Sequence, residues 1–207
     1  MSYAPAAVRP GLAAIFALDE RLGAIVAGTT EPTIGLIRLA WWREALERID
    51  TAPASAEPLL RNLAGNVVAA GLGGAQLAGL EAGWAAMLDG DDEAGTVGRF
   101  ARERGGVLFG LAAQLLGSED PRLPIAGEVW SLVDLAYRHS SPSMRAAALR
   151  RARDRSGEIA GRPWSSDARP LAALLALARR DLAGEHPRAQ GSPARVARML
   201  AMRLFGR

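Results

Sequence analysis

The stretch of sequence that decides the fold lies near the N-terminus: residues 31–46 read Glu-Pro-Thr-Ile-Gly-Leu-Ile-Arg-Leu-Ala-Trp-Trp-Arg-Glu-Ala-Leu. Thr30, Glu31 and Pro32 supply a capping residue, an acid and an early proline, which together mark the start of a helix. Apolar residues then recur at helical spacing, so we expect a helix from Pro32 to about Ile49. No segment of the sequence alternates apolar and polar residues like a strand. The sequence therefore predicts an all-α protein.

Proline, glycine and polar residues divide the rest of the chain into further helices. We expect a single domain over residues 1–207, built as a bundle of about nine helices. Their approximate bounds are 10–27, 32–49, 57–70, 75–88, 96–116, 124–139, 142–159, 168–182 and 193–204. Gly105 and Gly106 fall inside the fifth helix, where each costs roughly 1 kcal/mol relative to alanine. We expect close helix packing to compensate for them.

Two charged residues lie on helix faces that are otherwise apolar. On a wheel of about 100° per residue, Arg38 lies between Ile34, Trp41 and Trp42, and Asp19 lies on the apolar face of the first helix. An unpaired buried guanidinium is too costly to desolvate, so we expect Asp19 and Arg38 to pair inside the bundle. Two interpretations stay open. The pair fixes helix packing, or it lines a cavity in which Arg38 binds a phosphate or carboxylate.

The helix predicted over 124–139 places aromatic and charged residues on one side. This side holds Trp130, Asp134, Tyr137 and Arg138. It lines a pocket, or it is the surface of an amphipathic helix. The full set of candidate cavity or ligand residues is Asp19, Arg38, Trp41, Trp42, Trp130, Asp134, Tyr137 and Arg138.

Composition excludes several kinds of site. The chain has no cysteine, which excludes disulfides and thiolate chemistry. It has two histidines, which excludes a three-histidine metal site. His139 and His186 are isolated in the sequence, and we expect them at helix ends or on the surface. The acidic loop 89–93 lacks the glycine and the final acid of an EF-hand, so we expect a solvated turn. Neither a phosphate-binding glycine loop nor a nucleophile elbow is present. We therefore predict no catalytic residue and no metal ligand.

Charge is distributed unevenly along the chain. Residues 1–137 contain 10 Arg and 17 acids, whereas residues 138–207 contain 15 Arg and 5 acids. The basic third can face the acidic remainder of the chain, a phosphate-bearing ligand, nucleic acid or an anionic membrane. No motif indicates specific nucleic-acid binding. With no secretory signal and no spanning segment in the sequence, we expect a cytoplasmic protein, and peripheral membrane contact through the Arg-rich C-terminal third stays open.

Several segments resemble one family. Residues 31–46, with the run Trp41-Trp42-Arg43, resemble the second helix of squalene/phytoene synthases, especially their compact bacterial relatives. Residues 104–117 are similar to the helix that packs small residues beside the tunnel of that family. Residues 127–138 correspond to its second Asp-bearing helix, and residues 191–207 to its closing helix. The resemblance implies an isoprenoid-synthase-like helical bundle with a central cavity.

The sequence departs from this family at the metal-binding motifs. The family joins two prenyl diphosphates head to head, with Mg²⁺ held between two Asp-rich helices. Here the positions of the first motif hold Gly23, Ala24 and Ala27, and the Arg-Asp of the second motif is replaced by Tyr137-Arg138. Asp19 and Asp134 alone do not rebuild a three-magnesium site.

We therefore expect a squalene/phytoene synthase-like protein that has lost prenyl transfer. It would keep an isoprenoid- or lipid-binding, accessory or assembly role, with a lipid or a protein as its partner and no cofactor. The alternative is an active prenyl transferase of isoprenoid or carotenoid biosynthesis that uses Mg²⁺ and farnesyl or geranylgeranyl diphosphate. A third hypothesis is a surface-binding protein that acts through the basic C-terminal third.

Overall fold

The fold is an all-α bundle, as the sequence predicts. The computed structural model describes residues 4–51, 55–90, 92–159 and 161–184, and these residues contain no strand. Their α-helices are α1 (Arg9–Ala27), α2 (Pro32–Glu47), α3 (Pro58–Asn66), α4 (Gly74–Ala78), α5 (Leu80–Ala85), α6 (Glu93–Phe100), α7 (Val107–Leu116), α8 (Leu123–Arg138), α9 (Pro142–Gly157) and α10 (Arg169–Leu182). The helix predicted over 193–204 and His186 lie outside the described residues.

Local sequence sets where several helices begin. Proline occupies the first turn of α2, α3 and α9, where its missing N–H costs no hydrogen bond. The carboxylate of Glu57 accepts a hydrogen bond from the Leu59 amide at 3.2 Å, and the Ser141 hydroxyl accepts one from the Met144 amide at 3.3 Å. These side chains satisfy amides that the helix itself leaves unpaired.

The helix predicted over 96–116 contains a change of geometry. α6 continues directly into a π-helical segment, Ala101–Gly106, which continues into α7. A Cβ on Gly105 would lie 2.3 Å from the carbonyl oxygen of Gly127 on α8, and a Cβ on Gly127 would lie 2.0 Å from that of Gly105. The expectation of close packing at the glycine pair is thus confirmed for Gly105. Only glycine permits the two backbones to approach this closely.

Helix α8 runs through the centre of the bundle. Only Pro124 and Arg138 of this helix are exposed, and Val129 and Leu132 are fully buried. The π-helical segment and α7 cover one part of α8, while α9 and α10 cover the rest. The interpretation of this helix as an amphipathic surface helix is therefore wrong. Its polar side faces another helix instead of water.

A buried arginine ties the loop before α10 to the start of α8. The Nε and Nη2 atoms of Arg122 donate to Oδ1 and Oδ2 of Asp120 at 2.9 and 2.6 Å. Its Nη1 atom donates to the carbonyl oxygen of Arg162 at 2.9 Å. The same guanidinium lies 4.0 Å from the ring centre of Trp164. The hydrogen bonds from Arg122 hold the pKa of Asp120 below its usual value, although partial burial opposes this. The contacts of Arg122 therefore fix the position of the loop before α10.

No helix in the described ranges is both long and apolar enough to cross a bilayer.

Candidate functional site

A buried arginine forms the polar centre of the bundle. Arg104, in the π-helical segment, is 4% exposed, and Asp19 on α1 is 2% exposed. The Nε and Nη2 atoms of Arg104 donate to the two carboxylate oxygens of Asp19, each at 2.8 Å. This bidentate geometry is the strongest arrangement of a guanidinium and a carboxylate. It joins the first helix of the chain to a segment 85 residues further on.

A second carboxylate lies on the other side of the same guanidinium. The Nη1 atom of Arg104 donates to Oδ2 of Asp134 on α8 at 2.8 Å. The other oxygen of Asp134 forms an ion pair with Nε of Arg138 at 2.7 Å. Arg138 is largely exposed, so the chain of charges runs from the core to the surface. We call Asp19, Arg104, Asp134 and Arg138 the Arg104 cluster.

Aromatic rings enclose the guanidinium of Arg104. The ring centres of Trp84, Trp130 and Phe100 lie 4.4, 4.9 and 5.1 Å from its central carbon. The indole N–H of Trp84 also donates to Oδ1 of Asp19 at 2.9 Å. Aromatic faces attract cations, and they exclude water from the ion pair. The rings therefore hold Arg104 as a charged group inside the core.

Small residues bring the backbone of the π-helical segment close to its neighbours. A Cβ on Gly83 of α5 would lie 2.4 Å from the backbone nitrogen of Arg104. On the opposite side, Gly105 contacts Gly127 as described above. Arg104 is thus positioned from both sides by glycines that a larger residue could not replace without moving the backbone.

The electrostatic balance at Arg104 favours the charged form. Burial opposes a charged guanidinium, but the hydrogen bonds to Asp19 and the charges of Asp19 and Asp134 outweigh burial. The pKa of Arg104 is therefore raised above its ordinary value.

The predicted pairing of Asp19 with Arg38 is wrong. Asp19 is interior, as expected, but its partner is Arg104, and Arg38 is exposed. The side of α2 that faces the core holds Gly35, Leu39, Trp42 and Leu46. The wheel failed because α2 carries two apolar faces, and the Arg38 face is the outer one.

The outer face of α2 leaves large apolar side chains in water. Ile34, Ile37 and Trp41 are 42%, 65% and 51% exposed. We call Ile34, Ile37, Arg38 and Trp41 the α2 stripe. The expected interior position of Trp41 is therefore wrong, whereas Trp42 is buried as expected.

The remaining candidates divide between the cluster and the packing around it. Asp134 and Arg138 belong to the Arg104 cluster, and Trp130 forms one of its walls. Tyr137 instead donates its hydroxyl to the backbone oxygen of Asp181 at 2.8 Å, which joins α8 to α10. His139 lies at the end of α8 and accepts a hydrogen bond from the Ser141 amide at 3.1 Å. Its expected place at a helix end is confirmed.

Sequence reasoning missed Arg104, the residue at the centre of the site. The π-helical segment shifts the angular position of each residue, so a wheel at α-helical pitch cannot place Arg104. One signal was available. An arginine directly before two glycines, at the start of a strongly apolar segment, indicates a charge in a tightly packed place.

The two carboxylates do not fit a magnesium ion. Oδ1 and Oδ2 of Asp19 and Oδ2 of Asp134 accept hydrogen bonds from Arg104, and Oδ1 of Asp134 is paired with Arg138. Mg²⁺ needs carboxylate oxygens that are open to it and to its water ligands. In addition, no group of three or more His, Cys, Asp or Glu in the described part of the chain could hold a metal.

No protein-family model, curated protein or solved structure matches this chain.

Proposed function

We propose that this chain is a squalene/phytoene synthase-like bundle that has lost prenyl transfer and acts by binding, in an accessory or assembly role. The observation that carries the proposal is the position of Arg104 between Asp19 and Asp134. The protein supplies its own cation where two carboxylates face each other. The polar centre then serves packing and not the ionisation of a diphosphate.

The energetic argument rests on the burial of Arg104. A metal ion that took Asp19 and Asp134 as ligands would have to separate them from the guanidinium. A buried guanidinium without its anions is strongly unfavourable, and breaking one such pair costs roughly 3–5 kcal/mol. The three hydrogen bonds at 2.8 Å therefore oppose metal binding at these carboxylates.

The α2 stripe supports an accessory role. Among the described residues, the exposed large hydrophobic side chains are Ile34, Ile37 and Trp41, and all of them lie on this one helix. A concentration of exposed apolar side chains on one helix is typical of a surface that contacts another molecule. Trp41 packs edge to face on Trp42, with ring centres 5.3 Å apart. An exposed tryptophan is a frequent anchor of protein interfaces.

The proposal is tested by a product assay. The purified chain is incubated with labelled farnesyl and geranylgeranyl diphosphate and Mg²⁺, and the organic phase is analysed for coupled products. We expect none above the level of a reaction without protein. Turnover by the wild type would overturn the proposal and favour the active prenyl transferase.

A second variant distinguishes true turnover from contamination. If the chain were the active transferase, Asp134→Ala would abolish the product while circular dichroism showed an intact fold. Product that persists in Asp134→Ala would come from another enzyme in the preparation. A cytoplasmic location for the protein stays a prediction of the sequence.

A further inference from the structure

Two guanidinium groups meet on the surface formed by α6, the π-helical segment and α9. Nη1 of Arg102 lies 3.4 Å, and the central carbon of the Arg151 guanidinium 3.5 Å, from the point that a Cβ on Gly98 would occupy. Gly98 is buried and carries no side chain, which leaves room for both groups. Arg102 is exposed and Arg151 is half-buried, so two like charges lie close together at the surface of the protein, where they repel each other.

Neither cation has an anionic partner in the described part of the chain. No carboxylate there forms an ion pair with Arg102 or Arg151, and the Nε atom of Arg151 is buried without a hydrogen-bond partner. Asp154, one turn further along α9, lies on the exposed side of the helix. The protein therefore supplies no anion for either guanidinium group in its described part.

The next turn of α9 provides the comparison. Arg155, four residues after Arg151, binds both carboxylate oxygens of the buried Glu128 on α8, each at 2.7 Å. That cation is satisfied by the protein itself. At Arg151 the neighbouring helix presents Gly98 and a second arginine instead of an acid. Helix α9 thus carries one arginine that is paired with a carboxylate, Arg155, and one that is not, Arg151.

We infer that Arg102 and Arg151 form a binding site for a phosphate group. A tetrahedral phosphate has enough oxygens to accept hydrogen bonds from two guanidinium groups at once, and the planar guanidinium matches it geometrically. Its negative charge removes the repulsion between the two arginines, and its oxygens accept hydrogen bonds from their terminal Nη atoms. The group can belong to a free phosphate compound or to a phosphate-monoester lipid headgroup. The site is separate from the Arg104 cluster and does not depend on the proposed function.

The test titrates inorganic phosphate into the full-length protein by calorimetry, at constant ionic strength set with chloride. Arg151→Gln should weaken phosphate binding at least about tenfold. Arg150→Gln removes the same charge from an exposed position of the same helix and should change binding less than about twofold. Equal effects of the two variants, or a wild type that does not distinguish phosphate from chloride, would overturn the free-phosphate form of the site.

Vesicles distinguish the source of the phosphate. Phosphatidylcholine vesicles with and without phosphatidic acid are mixed with the wild type, Arg151→Gln and Arg150→Gln, and bound protein is measured by sedimentation. Binding that requires phosphatidic acid and is lost in Arg151→Gln alone supports a headgroup site. If neither phosphate nor these vesicles depend on Arg151, the inference is wrong.

A charge-reversal variant gives a readout that does not need a ligand. Arg102→Glu places a carboxylate beside Arg151 and so supplies the missing anion within the chain. We expect this variant to lose phosphate binding and to melt at a higher temperature than the wild type in phosphate-free buffer. A lower melting temperature, with phosphate binding retained, would show that the two arginines do not need an anion.

Discussion

Replacing Arg104 by leucine should destabilise the protein more than any surface substitution. The change leaves Asp19, which is 2% exposed, without the two hydrogen bonds it accepts from Arg104 at 2.8 Å. It also deprives Asp134 of the one hydrogen bond it accepts from the same guanidinium. Removing one partner of a buried pair costs roughly 3–5 kcal/mol. That loss is a large fraction of the roughly 5–15 kcal/mol that stabilises a typical domain.

The measurement is urea unfolding followed by circular dichroism at 222 nm, with Arg153→Leu, an exposed arginine on α9, as the control. The control should differ from the wild type by less than about 0.5 kcal/mol.

A deficit below about 1 kcal/mol would refute this reasoning, because it would mean that the Arg104 cluster contributes no more than an exposed ion pair. If Arg104→Leu does not fold, Asp134→Asn replaces it. That variant keeps the Asp19 pair and should lose roughly 1–3 kcal/mol.

Three further predictions test the packing and the other charged contacts. Gly105→Ala should cost roughly 3 kcal/mol, because its Cβ would lie 2.3 Å from a backbone oxygen of α8. Gly110→Ala on α7, where a Cβ would meet no atom within 4 Å, should instead stabilise the protein by about 0.5–1 kcal/mol. Chemical unfolding measures both changes. Burial raises the pKa of Glu81, despite the opposing charge of Arg43, so the free energy of unfolding falls as pH rises through the raised pKa of Glu81. Glu81→Gln should therefore be more stable than the wild type at pH 7, and this advantage should vanish toward pH 4. Arg122→Met should cost about 2 kcal/mol near pH 7. The difference should shrink in acid, because Arg122 holds the pKa of Asp120 low and that stabilisation is lost as pH falls from the ordinary pKa of aspartate through the lowered pKa of Asp120.

The fold class could be predicted from the sequence because several helix starts are marked by their own residues and no segment alternates like a strand. Pro32 and Pro142 begin α2 and α9 at the expected positions, and Ser141 caps α9 as its type suggests. Of the glycine pair in the fifth predicted helix, Gly105 correctly indicated close packing. The interior position of Asp19 was also predictable, since every neighbour on its helix face is apolar.

The partner of Asp19 could not be predicted, and the reason is physical. A wheel gives the direction of a side chain relative to its own helix axis, but it does not say which face of that helix meets the core. For α2, both the Leu39 face and the Arg38 face are apolar enough to be buried, and in the folded protein the Leu39 face is the one that packs against the core. For Arg104, the π-helical geometry invalidates the wheel itself.

The most direct test of the account is calorimetric titration of the wild type with farnesyl and geranylgeranyl diphosphate, with and without Mg²⁺. The central claim is that Arg104 occupies the place between Asp19 and Asp134 and completes their charge. We predict that Mg²⁺ does not strengthen the binding of either diphosphate. Binding that requires Mg²⁺ and is lost in Asp134→Asn would contradict the claim, because the carboxylates would then serve a metal and not the arginine.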